Sequence, residues 1–216
     1  MYKTVVFDLD GTLLDTLDDI ADSVNYVLDL YCLPPRTRDE VCSFVGDGLA
    51  VLMRRAIGDR DFPYHEQALM KLKARYKSHS ADKTKEYAGI TPTLQALKKA
   101  GVKLAVLSNK AIFAVKSLVD RYFPELFEQA VGENESAGVR KKPAPDALYV
   151  IMDKLHSTAE ETVYVGDSDV DIQTAKNAGV ACVSVSWGFR SKEFLKEHGA
   201  TCIVDAPDEL LRFCKE

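Results

Sequence analysis

Short apolar runs recur along the chain at residues 3–9, 102–107, 162–165 and 180–185, with a briefer one at 202–204. They are rich in Val, Leu and Phe and alternate little with polar residues, the pattern of strands buried on both faces of a parallel sheet. From residue 91 onward helical patterns separate them. Thr91 and Pro92 open one helix, with Leu94 and Leu97 facing inward and Gly101 as its stop. Residues 111–121 make the next. Residues 145–155 follow, with Leu148, Ile151, Met152 and Leu155 on one face, and then residues 170–177, stopped by Gly179. Strand alternating with helix predicts an α/β fold, a parallel sheet covered on both sides.

The first strand breaks this rhythm, because residues 15–88 carry only helical signals. Leu17, Ile20, Ala21, Val24, Val27, Leu28 and Tyr31 keep the i, i+3, i+4, i+7 spacing of an amphipathic helix. Pro34-Pro35 ends it, Thr37-x-x-Glu40 is a capping box for the next, and Asp61-Phe62-Pro63 precedes another. The expected organisation is an α/β core of residues 1–14 and 89–216 with an all-helical insert at 15–88. Lys71, Lys73, Arg75 and Lys77 lie on one of its helices and read as a solvated face.

Composition narrows the partners. The 28 Lys and Arg against 33 Asp and Glu leave a net charge of −5, which disfavours nucleic acid. No run approaches the ~18 apolar residues of a membrane span, and the amino-terminal residues lack the pattern of a secretion signal. The five cysteines, Cys32, Cys42, Cys182, Cys202 and Cys214, are odd in number and scattered, as suits thiols in a reducing compartment. A cytoplasmic protein with no membrane partner is the expectation. The four histidines lie far apart and form no ligand pair.

Open α/β sheets bind ligands at the carboxyl ends of their strands. After the first strand stands Asp8-Leu9-Asp10-Gly11-Thr12-Leu13-Leu14-Asp15, whose period of two puts Asp8 and Asp10 on one side before Gly11 permits a tight turn. After the third comes Gly166-Asp167-Ser168-Asp169-Val170-Asp171, where Asp167 and Asp171 share a face if a helix begins at Asp167. Alone, Asp10-Gly11 reads as a turn and Asp167 as a helix cap. Together, carboxylates converging on one sheet edge repel by ~4 kcal/mol per pair at ~4 Å and an effective dielectric of ~20. A divalent cation relieves that repulsion, and an all-oxygen set favours Mg²⁺ over Zn²⁺. Ser108-Asn109-Lys110 reads as a helix start able to hold a phosphate oxygen, and Arg140-Lys141-Lys142-Pro143 supplies cations of the kind a transferring phosphoryl group needs.

On these motifs the chain resembles the haloacid dehalogenase superfamily of phosphatases. Residues 8–13 match its first motif, Ser108-Asn109 the second, Lys142-Pro143 the third and residues 166–171 the fourth, in family order. Asp8–Thr16, the insert's Val45-Gly46-Asp47-Gly48 and Val165–Ser168 are most similar to the phosphoglycolate phosphatase-like subgroup. The resemblance implies a Rossmann-like core with a helical cap, and Mg²⁺-dependent hydrolysis of a small phosphorylated metabolite by a monomer or homodimer. It makes Asp8 the nucleophile and Asp10 the acid and base. Thr12, Ser108, Asn109 and Lys142 would hold the phosphoryl group, although Lys141 stands beside Lys142 and only the Lys-Pro match separates them. The metal would take Asp8, the backbone carbonyl of Asp10 and Asp167, with Asp171 ordering the metal site and Lys142 and Asp169 a lesser candidate. Gly46, Asp47, Gly48 and Arg54 would read substrate. Trp187-Gly188-Phe189-Arg190 is placed on the rim, with no part in chemistry.

Other readings share these residues. A haloacid dehalogenase in the strict sense has no need of Asp10. The family's sugar phosphomutases usually carry Val where this chain has Thr12. A pyrophosphatase or nucleotidase on the same scaffold stays open. A non-catalytic phosphoaspartate signalling module needs neither Asp10 nor the helical insert.

Overall fold

Thr4–Phe7 forms strand β1, buried along its whole length, and its two sheet neighbours arrive only much later in the chain. The computed structural model describes residues 1–133 and 138–214. Its main sheet has six parallel strands in the order β5-β4-β1-β6-β7-β8: β4 Lys103–Ala111, β5 Gln129–Glu133, β6 Thr162–Gly166, β7 Ala181–Val185 and β8 Ile203–Val204. Helices α5 (Ile90–Lys99), α6 (Ile112–Tyr122), α7 (Asp146–Lys154), α8 (Asp169–Ala178) and α9 (Lys192–Glu197) alternate with the strands, and a 3-10 helix covers Pro207–Phe213. The alternation of buried runs and helical patterns thus yields the expected α/β class. On one face Leu148, Ile151 and Met152 of α7 and Ala175 of α8 pack on Val6, Ala105, Leu107 and Tyr164, a continuous apolar cluster. Burying such side chains stabilises the layer by about 1.5–3 kcal/mol each.

Two elements differ from the sequence expectation. Strand β5 carries little apolar signal, because all five of its residues are only half-buried at the sheet edge. Residues 108–110, expected to open a helix, instead continue β4. Pairing with β5 is irregular after Leu107 and resumes at Ala111↔Glu133, and α6 starts only at Ile112. The unforeseen neighbour β5 pairs with β4 on both sides of this segment, at Leu107↔Val131 and Ala111↔Glu133, so the strand runs through it.

The chain divides into two compact units, Met1–Leu14 with Glu86–Glu216, and Asp15–Lys85. The second contains α1 (Leu17–Leu30), α2 (Arg38–Phe44), α3 (Leu49–Ile57) and α4 (His65–His79). Helix α1 buries Leu17, Ile20, Ala21, Val24, Val27 and Leu28, whereas Tyr31 falls past its end. The capping box forms: Thr37 Oγ1 accepts from the Glu40 N–H at 3.2 Å while the Glu40 carboxylate accepts from the Thr37 N–H at 2.7 Å. Where the chain passes from one unit to the other, β2 (Leu14–Asp15) and β3 (Lys85–Glu86) pair as a separate two-stranded sheet. Among the described residues no helix is long and apolar enough to cross a membrane.

Candidate active site

The register of the three central strands brings the motifs together. Phe7 pairs with Val106 on β4 and with Val165 on β6, so Asp8, Ser108 and Asp167 all lie within two residues of one level. The Asp8 N–H still donates to the Val165 carbonyl at 2.8 Å, which fixes the first carboxylate at the end of the ladder. Gly11 then turns the chain with φ of 81°. A Cβ at Gly11 would overlap the Asp167 carboxylate, and one at Gly166 would overlap the Asp171 side chain, so both glycines let carboxylates approach backbone.

Asp8, Asp167 and Asp171 each present an oxygen within 4.8 Å of the other two, and all three are buried. Helix α8 does not begin at Asp167, as the shared-face expectation required. Ser168 is its cap and Asp167 lies before it, so Asp167 reaches Asp171 from the end of β6 and not by helical spacing. Asp171 completes the capping box of α8. Its Oδ2 accepts from the Ser168 N–H at 3.1 Å and the Ser168 hydroxyl at 2.6 Å, while its Oδ1 accepts from Lys142 Nζ at 2.7 Å. Asp167 is held on both oxygens, by the Thr12 hydroxyl at 3.2 Å and by the Phe189 N–H at 2.7 Å.

Lys142 is 4% exposed and threads between these acids. Its ammonium donates to Asp171 and to the Tyr164 hydroxyl at 3.0 Å, and stands 2.9 Å from Asp8 Oδ1. That last contact is a buried ion pair. Asn109 fixes the lysine from behind: its amide oxygen accepts the Lys142 N–H at 2.8 Å and its Nδ2 donates to the Lys142 carbonyl at 2.9 Å. Lys141 instead points to Glu133, 3.6 Å away, and is 38% exposed.

Burial pushes the Asp8 carboxyl up to about 7, with Lys142 pulling against it and Asp171 and Asp10 adding to it. Burial, reinforced by Asp171 and Asp8, likewise pushes Asp167 well above the usual carboxylate range. For Lys142 burial acts in the opposite sense, yet Asp171 and Asp8 hold its ammonium well above the ordinary lysine value. One buried cation faces three acids, two of which resist ionisation. Three buried carboxylates with oxygens within 4.8 Å of one another form an all-oxygen donor set that fits a hard divalent cation.

The remaining sequence candidates are placed as follows. The Asp10 carboxylate stands apart from the three-acid cluster and pairs with Lys110 Nζ at 2.8 and 3.1 Å. Thr12, expected to hold a phosphoryl oxygen, directs its hydroxyl to Asp167. Ser108 is buried, and because β4 continues past it, Ser108 does not sit at a helix N-terminus. The amide of Asn109 engages the backbone of Lys142. In the helical unit Gly46 and Gly48 have φ of 130° and 84° and form the turn between α2 and α3, where Asp47 pairs with Arg55 at 2.7 Å.

Sequence reasoning passed over Tyr164, read Lys110 only as part of a helix start, and left the segment after β7 on the rim. The signal for Lys110 was its position directly after Ser108-Asn109 at a strand end, which the helix-start reading obscured. Trp187 Nε1–H donates to the Thr12 carbonyl at 3.0 Å and Phe189 grips Asp167, so this segment touches the site rather than only its rim.

Residues 5–185 match the family model described as haloacid dehalogenase-like hydrolase. A phosphoglycolate phosphatase of Pseudomonas syringae pv. syringae is 34% identical over 219 residues, covering 98% of this chain and 79% of its own. That of Colwellia psychrerythraea is 33% identical, covering 97% of this chain and 95% of its own. A crystal structure from Lactobacillus delbrueckii subsp. bulgaricus, proposed to be a phosphoglycolate phosphatase, superposes with a TM-score of 0.91 at 36% identity, covering 99% of this chain and 98% of that one. Matched along nearly its whole length in sequence and fold, the chain belongs to the haloacid dehalogenase-like hydrolase family.

Proposed function

We propose that this protein is a Mg²⁺-dependent phosphatase that hydrolyses a small phosphomonoester through an aspartyl-phosphate on Asp8, with phosphoglycolate or a close relative as substrate. The observation that carries the reading is Asp8 itself: a buried carboxylate at the end of the central strand, 2.9 Å from the Lys142 ammonium and clustered with Asp167 and Asp171. The substrate assignment rests on the names of the relatives, which are phosphoglycolate phosphatases.

Asp8, Asp167 and the backbone carbonyl of Asp10 would hold Mg²⁺, with Asp171 ordering its surroundings. Bound there, the ion would offset the negative charge that otherwise keeps an anionic nucleophile from an anionic phosphate. Lys142 spreads the charge of the transferring phosphoryl group, held in place by Asn109 and Asp171. A carboxylate oxygen of Asp8 attacks phosphorus, the bond from phosphorus to the ester oxygen breaks, and Asp10 gives its proton to the departing alkoxide. Water then attacks the same phosphorus and yields its proton to Asp10. The bond to Asp8 breaks, releasing phosphate and restoring both acids. Lys110 pairs with the ionised Asp10, the form that accepts the proton from water in the second step.

The test is hydrolysis of an aryl phosphate and of a panel of small phosphomonoesters that includes phosphoglycolate. Activity should require Mg²⁺, cease in EDTA and fall by at least ~10³-fold in Asp8→Asn. Absence of any such activity across the panel refutes the reading.

A further inference from the structure

We propose that Trp187, Gly188 and Phe189, in the segment following β7, are positioning residues that aim the Asp167 carboxylate and the turn after β1 at the cation site; this rests on the metal-dependent reading above. Three contacts converge from this one segment. The Phe189 N–H donates to Asp167 Oδ2 at 2.7 Å. The Trp187 indole N–H donates to the Thr12 carbonyl at 3.0 Å, and the Thr12 hydroxyl in turn donates to the other oxygen of Asp167 at 3.2 Å. Gly188 lies so close to Asp167 and to the Gly11 carbonyl that any Cβ would overlap both.

The segment therefore closes a ring from the end of β7 to the turn after β1 and the end of β6. A carboxylate on a free side chain rotates about its terminal torsion, and each oxygen must then be ordered anew when a cation binds. Here each Asp167 oxygen already accepts one protein donor, so the group is held while one of its oxygens stays within 4.8 Å of oxygens of Asp8 and Asp171. Outer contacts of this kind commonly change metal affinity by about 10–100-fold. Neither Trp187 nor Phe189 supplies a ligand.

Trp187 is the only tryptophan, so its emission reports on this ring. Calorimetric titration of the metal-free protein with Mn²⁺ and Mg²⁺, together with Trp187 fluorescence, tests the proposal. In the wild type, cation binding should shift Trp187 emission. Trp187→Phe retains a ring but removes the indole donor, and should bind the cation about 10-fold more weakly with an unchanged unfolding midpoint. Its turnover should recover at high Mg²⁺ with KM for the phosphomonoester unchanged. Gly188→Ala should weaken binding further, and if it fails to fold Trp187→Phe carries the test alone. Wild-type cation affinity in Trp187→Phe, or a loss that high Mg²⁺ does not restore, overturns the positioning role while leaving the phosphatase reading intact. A wild type that binds no divalent cation and hydrolyses nothing overturns both.

Discussion

Lys110 places its ammonium against both carboxylate oxygens of Asp10, at 2.8 and 3.1 Å, with the lysine side chain 3% and the aspartate 13% exposed. An ion pair so withdrawn from water is costly to break from one side, typically about 3–5 kcal/mol, because the abandoned charge stays buried. Lys110→Met is expected to destabilise the protein by about that amount in urea unfolding. Adding Asp10→Asn should recover much of the loss. Equal, additive costs for the two single substitutions would show that the pair is not coupled.

The raised Asp8 value gives the metal-free protein an unusual pH dependence. Between the ordinary carboxylate value of 3.8 and about 7, folded Asp8 keeps a proton that the unfolded chain has released. Unfolding then releases protons, so stability falls as pH rises through this window, by up to about 4 kcal/mol at 1.36 kcal/mol per pH unit. Asp167 acts in the same direction. Glu40, Asp146, Glu160, Glu161 and Asp205 are held below their usual values, so their contribution is lost as pH falls below about 4.5, which overlaps only the acid end of this window. Unfolding in EDTA from pH 4.5 to 7 should show the decline, and Asp8→Asn should flatten it. An unchanged slope in Asp8→Asn would place the effect elsewhere. Mg²⁺ should counter the decline, since it binds the deprotonated acids.

The two adjacent lysines make opposite forecasts. Lys142 is buried among Asp8, Asp171 and Tyr164, whereas Lys141 reaches out toward Glu133. Lys142→Ala is expected to cost at least ~100-fold in kcat on an aryl phosphate, in the range of losing one charge-stabilising group. Lys141→Ala should stay within about threefold of wild type. Full activity in Lys142→Ala would transfer the role to Lys141.

Gly11 and Gly101 share nearly the same φ, 81° and 79°, in different surroundings. A Cβ at Gly101 meets nothing within 4 Å, whereas at Gly11 it would overlap the Asp167 carboxylate. Gly101→Ala should therefore cost only the left-handed backbone strain, about 1–2 kcal/mol, with activity preserved. Gly11→Ala should add the displacement of Asp167 and lose at least ~100-fold in Mg²⁺-dependent turnover. Paired activity assays and urea midpoints separate the two, and similar activity in both variants would contradict the close approach at Gly11.

What could be read from residues alone follows a physical line. Asp8, Asp167 and Asp171 were nameable because acids that end apolar runs need a reason to be there, and Lys142 because the Lys-Pro pair matches a family motif. The parallel sheet was legible from Val-rich runs, except where burial is incomplete: β5 sits at the edge with all five residues half-buried and so leaves little trace. Missing β5 concealed the extension of β4, and with it the place of Lys110. The hold of Thr12 and Phe189 on the two oxygens of Asp167 arises from segments that no local pattern connects, since the contact spans the fold rather than a helix turn or a strand.

The central place of β1 also bears on the order in which the molecule can come together. Its partners on either side begin at Lys103 and Thr162, while the helical unit between is continuous in the chain from Asp15 to Lys85 and closes within that span. Local contacts close early and distant ones late, so the helical unit can form while β1 still waits for its first neighbour. The three acids meet only when β6 docks beside β1, and their mutual repulsion is felt at that late step. No half-assembled sheet of this order contains the site, so completing the sheet and acquiring the chemistry are one event.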